Sequence, residues 1–247
     1  MKKIALITFG CAKNLVDSEV MAGYLGQAGF QFVEDSKNAD IIILNTCGFI
    51  RPAKDEAEEA IQDALSLKRK IGSKKIVVTG CYSERYEPIL RERYPGIDAW
   101  LGVRDFDKIV KVVEGEGFSA SDQTYLYSHK TPRTISTPAS WAYLKISEGC
   151  SHQCAFCSIP LIKGPYRSRP ALSIVEEARH LASGGVREIN LISQDTTYFG
   201  RDKGRSEGLV RLLEKLAEIQ KLEWIRILYG YPEEITDALF EVMQEPK

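Results

Sequence analysis

The chemistry of this chain is concentrated in its six cysteines. Cys150-Ser-His-Gln-Cys154-Ala-Phe-Cys157 sets three thiols within eight residues, close enough for one loop to wrap one polynuclear centre. A closed structural zinc site takes four ligands, usually as two separated pairs, and no partner pair follows Cys157. A 4Fe-4S cluster held by three thiolates instead leaves one iron open, which turns an electron carrier into a catalytic centre. The zinc alternative would use His152 as fourth ligand, although a residue inside the loop turns poorly toward a metal that its neighbours hold. Cys11, Cys47 and Cys81 stand apart from one another, each beside a glycine, in Gly10-Cys11, Cys47-Gly48 and Gly80-Cys81. A lone cysteine is ordinarily a small buried hydrophobe. Three at equivalent places read as ligands or reactive thiols, since Met1-Lys2-Lys3 opens no secretory signal that would favour disulfides instead.

Their equivalence follows from the elements that carry them. Lys3 to Phe9 reads as a strand, a helix starts near Asn14 and stops at Gly29, and Phe30 to Val33 is a second strand. Asp40 to Asn45 and Lys75 to Thr79 are apolar without alternation, as strands buried on both faces of a parallel sheet are. Helices are expected over Ala53 to Lys70, Ser83 to Arg93 and Asp105 to Val113, with a short strand near Trp100. The run Lys54 to Glu59 reads as a solvated face. Strands alternating with helices argue for a parallel sheet, and each lone cysteine then lies past a strand's C-terminal end, where open α/β sheets bind ligands.

Residues 115–139 lack periodicity and form the expected linker between a first domain, 1–114, and a second, 140–247. The second domain opens with the strand Trp141 to Ile146, followed by the cysteine loop. Ser173-Ile-Val-Glu176 reads as a capping box opening a helix to Ser183. Further strands, Arg187 to Ser193 and Trp224 to Leu228, alternate with helices from Gly208 and Glu233. Three βα units in this space look like the start of a (β/α) barrel that this chain does not finish.

Composition excludes several classes. Hydrophobic residues are 44%, aromatics 9% and charged residues 27% of 247, ordinary usage for a soluble globular protein. No apolar run approaches the ~18 residues of a membrane span, and a cytoplasmic protein is expected. With 33 basic and 34 acidic residues, net −1, the chain lacks the basic excess of nucleic-acid binders, so direct nucleic-acid binding is not expected. The densest basic stretch, Lys163 to Arg169, reads as a solvated loop. Secondary candidates are Gln194, for cofactor binding after a barrel strand, and Asp195, as cofactor contact or strand-ending cap. Arg167 and Arg169 could grip a carboxylate, and Tyr229 and Tyr231 could stack on an adenine or line the barrel. His129 and His180 are isolated, and no other catalytic side chain is assigned.

The CxxxCxxC loop, with Phe156 before its last cysteine and a first barrel strand ahead of it, resembles the radical SAM enzymes. That resemblance implies that Cys150, Cys154 and Cys157 hold a 4Fe-4S cluster whose open iron chelates S-adenosyl-L-methionine. Reduction of the cluster then cleaves the sulfonium to a 5′-deoxyadenosyl radical. Gly10-Cys11, Asn45-Thr46-Cys47 and Gly80-Cys81 ahead of such a loop are similar to the methylthiotransferases, in which three such cysteines hold a second 4Fe-4S cluster that carries the sulfur to be inserted.

Within that family, Gly10 to Glu19, Lys145 to Cys150, Arg167 to Pro170, Ile192 to Thr196 and Tyr229 to Pro232 look like the RimO-type members. Those act on an aspartate of ribosomal protein uS12, adding sulfur and a methyl group at the β-carbon. Ala12 departs from their usual proline, while Ala12 and Lys13 also differ from the glutamine and methionine common in the tRNA-adenosine (MiaB-type) members, the alternative substrate class. A flavodoxin- or ferredoxin-type reductant is the further partner implied. A reading of another class, an iron-sulfur electron carrier or sensor, would need the same clusters and no substrate.

Overall fold

The computed structural model describes residues 1–245 and divides them into two compact units, each with its own core. The first comprises Met1–Tyr125, Pro132–Thr134 and Cys154–Lys163. Its chain runs β1 (Lys3–Thr8), α1 (Ala12–Gln27), β2 (Gln31–Phe32), β3 (Ile41–Thr46), α2 (Arg51–Ile71), β4 (Lys75–Gly80), α3 (Cys81–Arg93), β5 (Ala99–Leu101), α4 (Ile109–Glu114) and, from the later segment, α5 (Ile159–Lys163).

The strands form one parallel sheet in the order β2-β1-β3-β4-β5. Every residue of β3 is buried, because Ile41-Ile-Ile-Leu44 offers both faces of the sheet an apolar surface. Ile42 and Leu44 pack with Ile61 of α2 and with Ile76 and Val78 of β4, and each side chain fully removed from water contributes about 1.5–3 kcal/mol. The register positions the cysteines. Thr8 pairs with Asn45, Asn45 with Thr79 and Thr46 with Gly80, so β1, β3 and β4 end level and the chain leaves each strand toward Cys11, Cys47 or Cys81.

The second unit comprises Leu126–Thr131, Ile135–Gln153 and Gly164–Lys247. It runs β6 (Trp141–Lys145), β7 (Ser147–Glu148), β8 (Arg167–Ser168), α6 (Ala171–Ser183), β9 (Glu188–Ile192), α7 (Gly208–Ala217), β10 (Trp224–Ile227) and α8 (Asp237–Met243). A parallel sheet has the order β10-β9-β6, and β7 pairs antiparallel with β8. Ala142, Leu144, Ile189 and Leu191 on the strands meet Ile174, Ala178, Leu212 and Leu216 on α6 and α7.

Several expectations change. α1 starts at Ala12, with Cys11 as its N-cap residue, and Cys81 is the first residue of α3. The capping box does not form: α6 begins at Ala171, and Ser173 Oγ accepts from the His129 backbone N–H at 3.0 Å, which also removes His129 from isolation. The last helix starts at Asp237, capped by Thr236, because Pro232–Glu234 makes a separate 3-10 turn. Glu58 is half-buried, its carboxylate accepting from the hydroxyls of Tyr82 at 2.5 Å and Tyr94 at 3.1 Å.

Candidate functional site

In the first unit the strand ends form a cradle for three thiols. Gly10, at φ +91°, lies so close to the next strand that an added Cβ would fall 2.5 Å from Cys47 Cβ and 3.0 Å from its sulfur. At Gly48 an added Cβ would fall 2.8 Å from Tyr82 Cα. At Gly80, φ +98°, it would fall 2.3 Å from the Thr46 carbonyl oxygen. Only glycine combines that approach with positive φ at Gly10 and Gly80. Sequence alone showed these glycines only as neighbours of the cysteines. The structure shows them as the reason that the Cys11, Cys47 and Cys81 loops close on one another.

A buried polar network fixes the cradle from below. Asn14 Nδ2 donates to the carbonyls of Phe9 and Thr46, both at 3.1 Å. Asn45 Nδ2 donates to the Asn14 carbonyl at 2.9 Å and to Ser18 Oγ at 2.8 Å, and Thr46 Oγ1 donates to the Thr79 carbonyl at 2.6 Å. Each loop's backbone is thereby tied to a neighbouring strand, so satisfying these buried polar groups also sets where the cysteines stand.

The electrostatics differ from simple expectation. Thiols beside helix N-termini would be expected to have depressed pKa values. Burial overrides this: it pushes Cys81 up to about 12, against the nearby Lys163 ammonium, which favours the thiolate. Cys47 is also raised, chiefly by burial, although the Phe49 N–H favours its thiolate. Cys11 adds to the rise at both, and Cys47 to that at Cys81, which places the three sulfurs in one another's field. Among the described residues no three His, Cys, Asp or Glu groups converge as ligands of one metal ion.

Lys163 and Arg169, placed by sequence in a solvated loop, are buried. Lys163 Nζ donates to Asp17 at 2.9 Å with both side chains almost fully covered, and Ile162 beside it packs on Cys81. Arg169, in the second unit, donates to the Lys145 carbonyl at 2.6 Å and pairs with Glu177 at 2.7 Å, its guanidinium 4.0 Å from the Tyr127 ring centroid. Lys145 and Glu148 form a further buried ion pair. Arg169 is thus committed to the interior and not available to grip a ligand carboxylate. A charged side chain reads as solvent-facing until its partner is known, and the Lys163 partner lies far away in sequence.

The cysteine loop leaves β7 through Gly149, whose φ of +76° and approach to the Pro165 carbonyl admit no side chain. Cys150 is buried, its N–H donating to the Gly164 carbonyl at 3.1 Å. Cys154 and Cys157 are half-buried and joined by a turn, Cys157 N–H to Cys154 carbonyl at 3.0 Å. Beyond β9, Gln194 is half-buried. Asp195 caps the turn: Oδ1 accepts from Thr197 N at 2.9 Å, from Thr197 Oγ1 at 2.5 Å and from Tyr198 N at 3.3 Å. Its Oδ2 accepts from His152 Nε2 at 2.5 Å, and the His152 ring stacks on Tyr231 at 4.2 Å. His152 was weighed above only as a zinc ligand, and the structure shows a carboxylate partner on its Nε2. Tyr229 is 43% exposed, in a left-handed conformation at φ 62°.

Comparison with known proteins agrees with this geometry. Residues 3–102 match the family described as "Uncharacterized protein family UPF0004", and residues 144–245 match the radical SAM superfamily. Among curated proteins, the chain is 42% identical to the ribosomal protein uS12 methylthiotransferase RimO of Trichlorobacter lovleyi, over 100% of this chain and 56% of that protein. It is 47% identical to the RimO of Symbiobacterium thermophilum, over 99% and 52% of the two chains, and 44% identical to that of Clostridioides difficile, over 99% and 56%. The chain spans about half the length of the curated relatives it matches. The solved structure of TsrM from Kitasatospora setae, a radical S-adenosylmethionine methyltransferase, shares the fold with a TM-score of 0.63 and 16% identity, over 98% of this chain and 57% of that one. Both sequence halves are matched in this order, and over its whole length the chain is similar to the RimO-type radical SAM methylthiotransferases.

Proposed function

We propose that the protein is a methylthiotransferase that inserts sulfur and a methyl group at the β-carbon of an aspartate in ribosomal protein uS12. The observation that carries this reading is the pair of three-thiol sets. Cys11, Cys47 and Cys81 share one sheet edge, while Cys150, Cys154 and Cys157 follow the first strands of the second sheet. The glycine cradle and the thiols' mutual field suit a 4Fe-4S cluster at the first set. The CxxxCxxC spacing suits one at the second. When bound, clusters with an open iron supply the site for S-adenosyl-L-methionine, its reductive cleavage and the sulfur to be transferred.

The chain's own residues hold and orient. Cys11 and Cys81 would present thiolates at the N-terminal ends of α1 and α3, where free backbone N–H groups and the helix dipole favour negative charge. Lys163, held by Asp17 beside Cys81, keeps a positive charge next to the first set. Gln194, just beyond β9, would hydrogen-bond S-adenosyl-L-methionine at the sheet edge where barrel enzymes gather their sites. We place the functional boundary as 1–114 for the sulfur-carrying domain, 115–139 for the linker and 140–247 for the radical domain. A flavodoxin- or ferredoxin-type protein would supply electrons in the cytoplasm. No helix of the described residues is long and apolar enough to cross a membrane.

Mass spectrometry of ribosomal protein uS12 and of tRNA from a strain lacking the gene tests the substrate. The expected result is loss of the thiomethyl mark from the uS12 aspartate with tRNA unchanged. Loss from tRNA alone would overturn the assignment in favour of the adenosine-modifying reading.

A further inference from the structure

His152 turns inward between exposed Ser151 and Gln153, in a loop whose neighbouring residues face solvent. Its contacts form a closed circuit within the second unit. Nε2 donates to Asp195 Oδ2 at 2.5 Å, and Asp195, 3% exposed, receives the Thr197 hydroxyl on its other oxygen. Thr197 Oγ1 in turn accepts from the Tyr231 backbone N–H at 3.0 Å, and the Tyr231 ring stacks on His152 with 23° between planes. The edge of Tyr198 closes a further side at 5.8 Å. The circuit joins the loops that follow β7, β9 and β10. Next to it the chain is held again, since Thr196 N–H donates to the carbonyl of Tyr229 at 2.9 Å, where the backbone adopts its positive φ.

A ligand loop with no regular secondary structure must lose its conformational freedom before all its donors can face one centre, and contacts that hold it in place beforehand reduce that cost. On the other side, the Cys150 N–H bonds Gly164 and Ser151 Oγ accepts from Tyr166 N–H at 3.2 Å. The Cys150 end is therefore fixed from two directions, by the Gly164–Tyr166 segment and by His152.

We propose that His152 is a positioning residue for the cysteine loop. Its hydrogen bond to Asp195 and its stack on Tyr231 hold the Cys150 end against the strand ends, so that the cluster carried by Cys150, Cys154 and Cys157 resists removal and keeps one geometry. This rests on the cluster assignment above. In this role His152 acts through Asp195 and Tyr231 and not as a metal ligand.

The test uses the full chain with Cys11, Cys47 and Cys81 replaced by alanine, so that only the second cluster reports. In that background the parent, His152→Phe and His152→Ala are reconstituted anaerobically, checked for folding by circular dichroism, and challenged with an iron chelator. Their reduced electron paramagnetic resonance spectra are recorded with and without S-adenosyl-L-methionine. The expected result is iron loss about 10- to 100-fold faster for His152→Ala, the size of effect that partners beyond the ligands have on metal affinity. His152→Phe, which keeps the stack and loses the hydrogen bond, should fall between, and the spectrum of His152→Ala should broaden. Release rates and spectra equal to the parent's in both variants would overturn the proposal. If His152→Ala does not fold, the phenylalanine variant decides alone by the same comparison. A parent that takes up no iron would refute the cluster assignment itself, a different and distinguishable failure.

Discussion

Buried charges and thiols set the behaviour of this protein at the residue scale. Asp17 and Lys163 are 1–4% exposed at their side chains, so removing one partner leaves the other uncompensated in a poorly solvated place. Asp17→Asn is expected to destabilise the chain by about 3–5 kcal/mol, read as a lower urea midpoint at unchanged slope. Asp17→Leu combined with Lys163→Met should recover most of the loss, because neither charge is then stranded. Cys81 gives a pH-dependent expectation. Its pKa is raised by burial to about 12, above the value of an unfolded thiol, so the folded metal-free chain keeps this proton where the unfolded chain releases it. The associated stability is complete below about pH 8.5, falls as pH rises toward about 12, and is lost with a slope approaching about 1.4 kcal/mol per pH unit. Urea midpoints of the metal-free chain across that range should decline less steeply once Cys81 is replaced by serine.

Elements turn such residues into sites, and the first sheet shows how much of this was legible. Apolar runs ending in turn residues marked β1, β3 and β4 along the chain, and their level ends follow from the one-residue register steps of parallel pairing. The strand-end address of Cys11, Cys47 and Cys81 was therefore readable. β7 and β8, of two residues each, and α5, of five, are too short to show a period, and they went unforeseen. The burial of Lys163 and Arg169 depends on those short elements, which is why the basic stretch looked solvated. The circuit through His152 and Asp195 was hidden for a related reason: it joins residues 43 apart through the pairing of β6 with β9, which neither segment specifies alone. The glycine cradle yields an expectation at this scale. Gly80→Ala would place a methyl group 2.3 Å from the Thr46 carbonyl oxygen at a φ of +98°, so the ends of β3 and β4 must part. The variant should lose about half of the reconstituted iron, from the first set, while still binding S-adenosyl-L-methionine at the second, as measured by iron assay and equilibrium dialysis.

For the whole molecule, the chain has two units with separate cores and, along its sequence, two three-cysteine sets. A carrier or sensor would need the clusters and nothing more, whereas the proposed enzyme requires reductive cleavage of S-adenosyl-L-methionine. Anaerobically reconstituted protein with dithionite and S-adenosyl-L-methionine is accordingly expected to form 5′-deoxyadenosine, and its replacement of Cys150, Cys154 and Cys157 by alanine should abolish that product. The most direct test of the central claim is Mössbauer spectroscopy with iron quantitation on three anaerobic preparations: the parent chain and the two triple-alanine variants, one for each cysteine set. The expected parent value is about eight irons in two 4Fe-4S clusters, with either variant retaining about four in a single intact cluster. Zinc in place of iron, or a triple-alanine variant that loses all of its iron or none, would contradict the assignment of two independent three-thiolate sites.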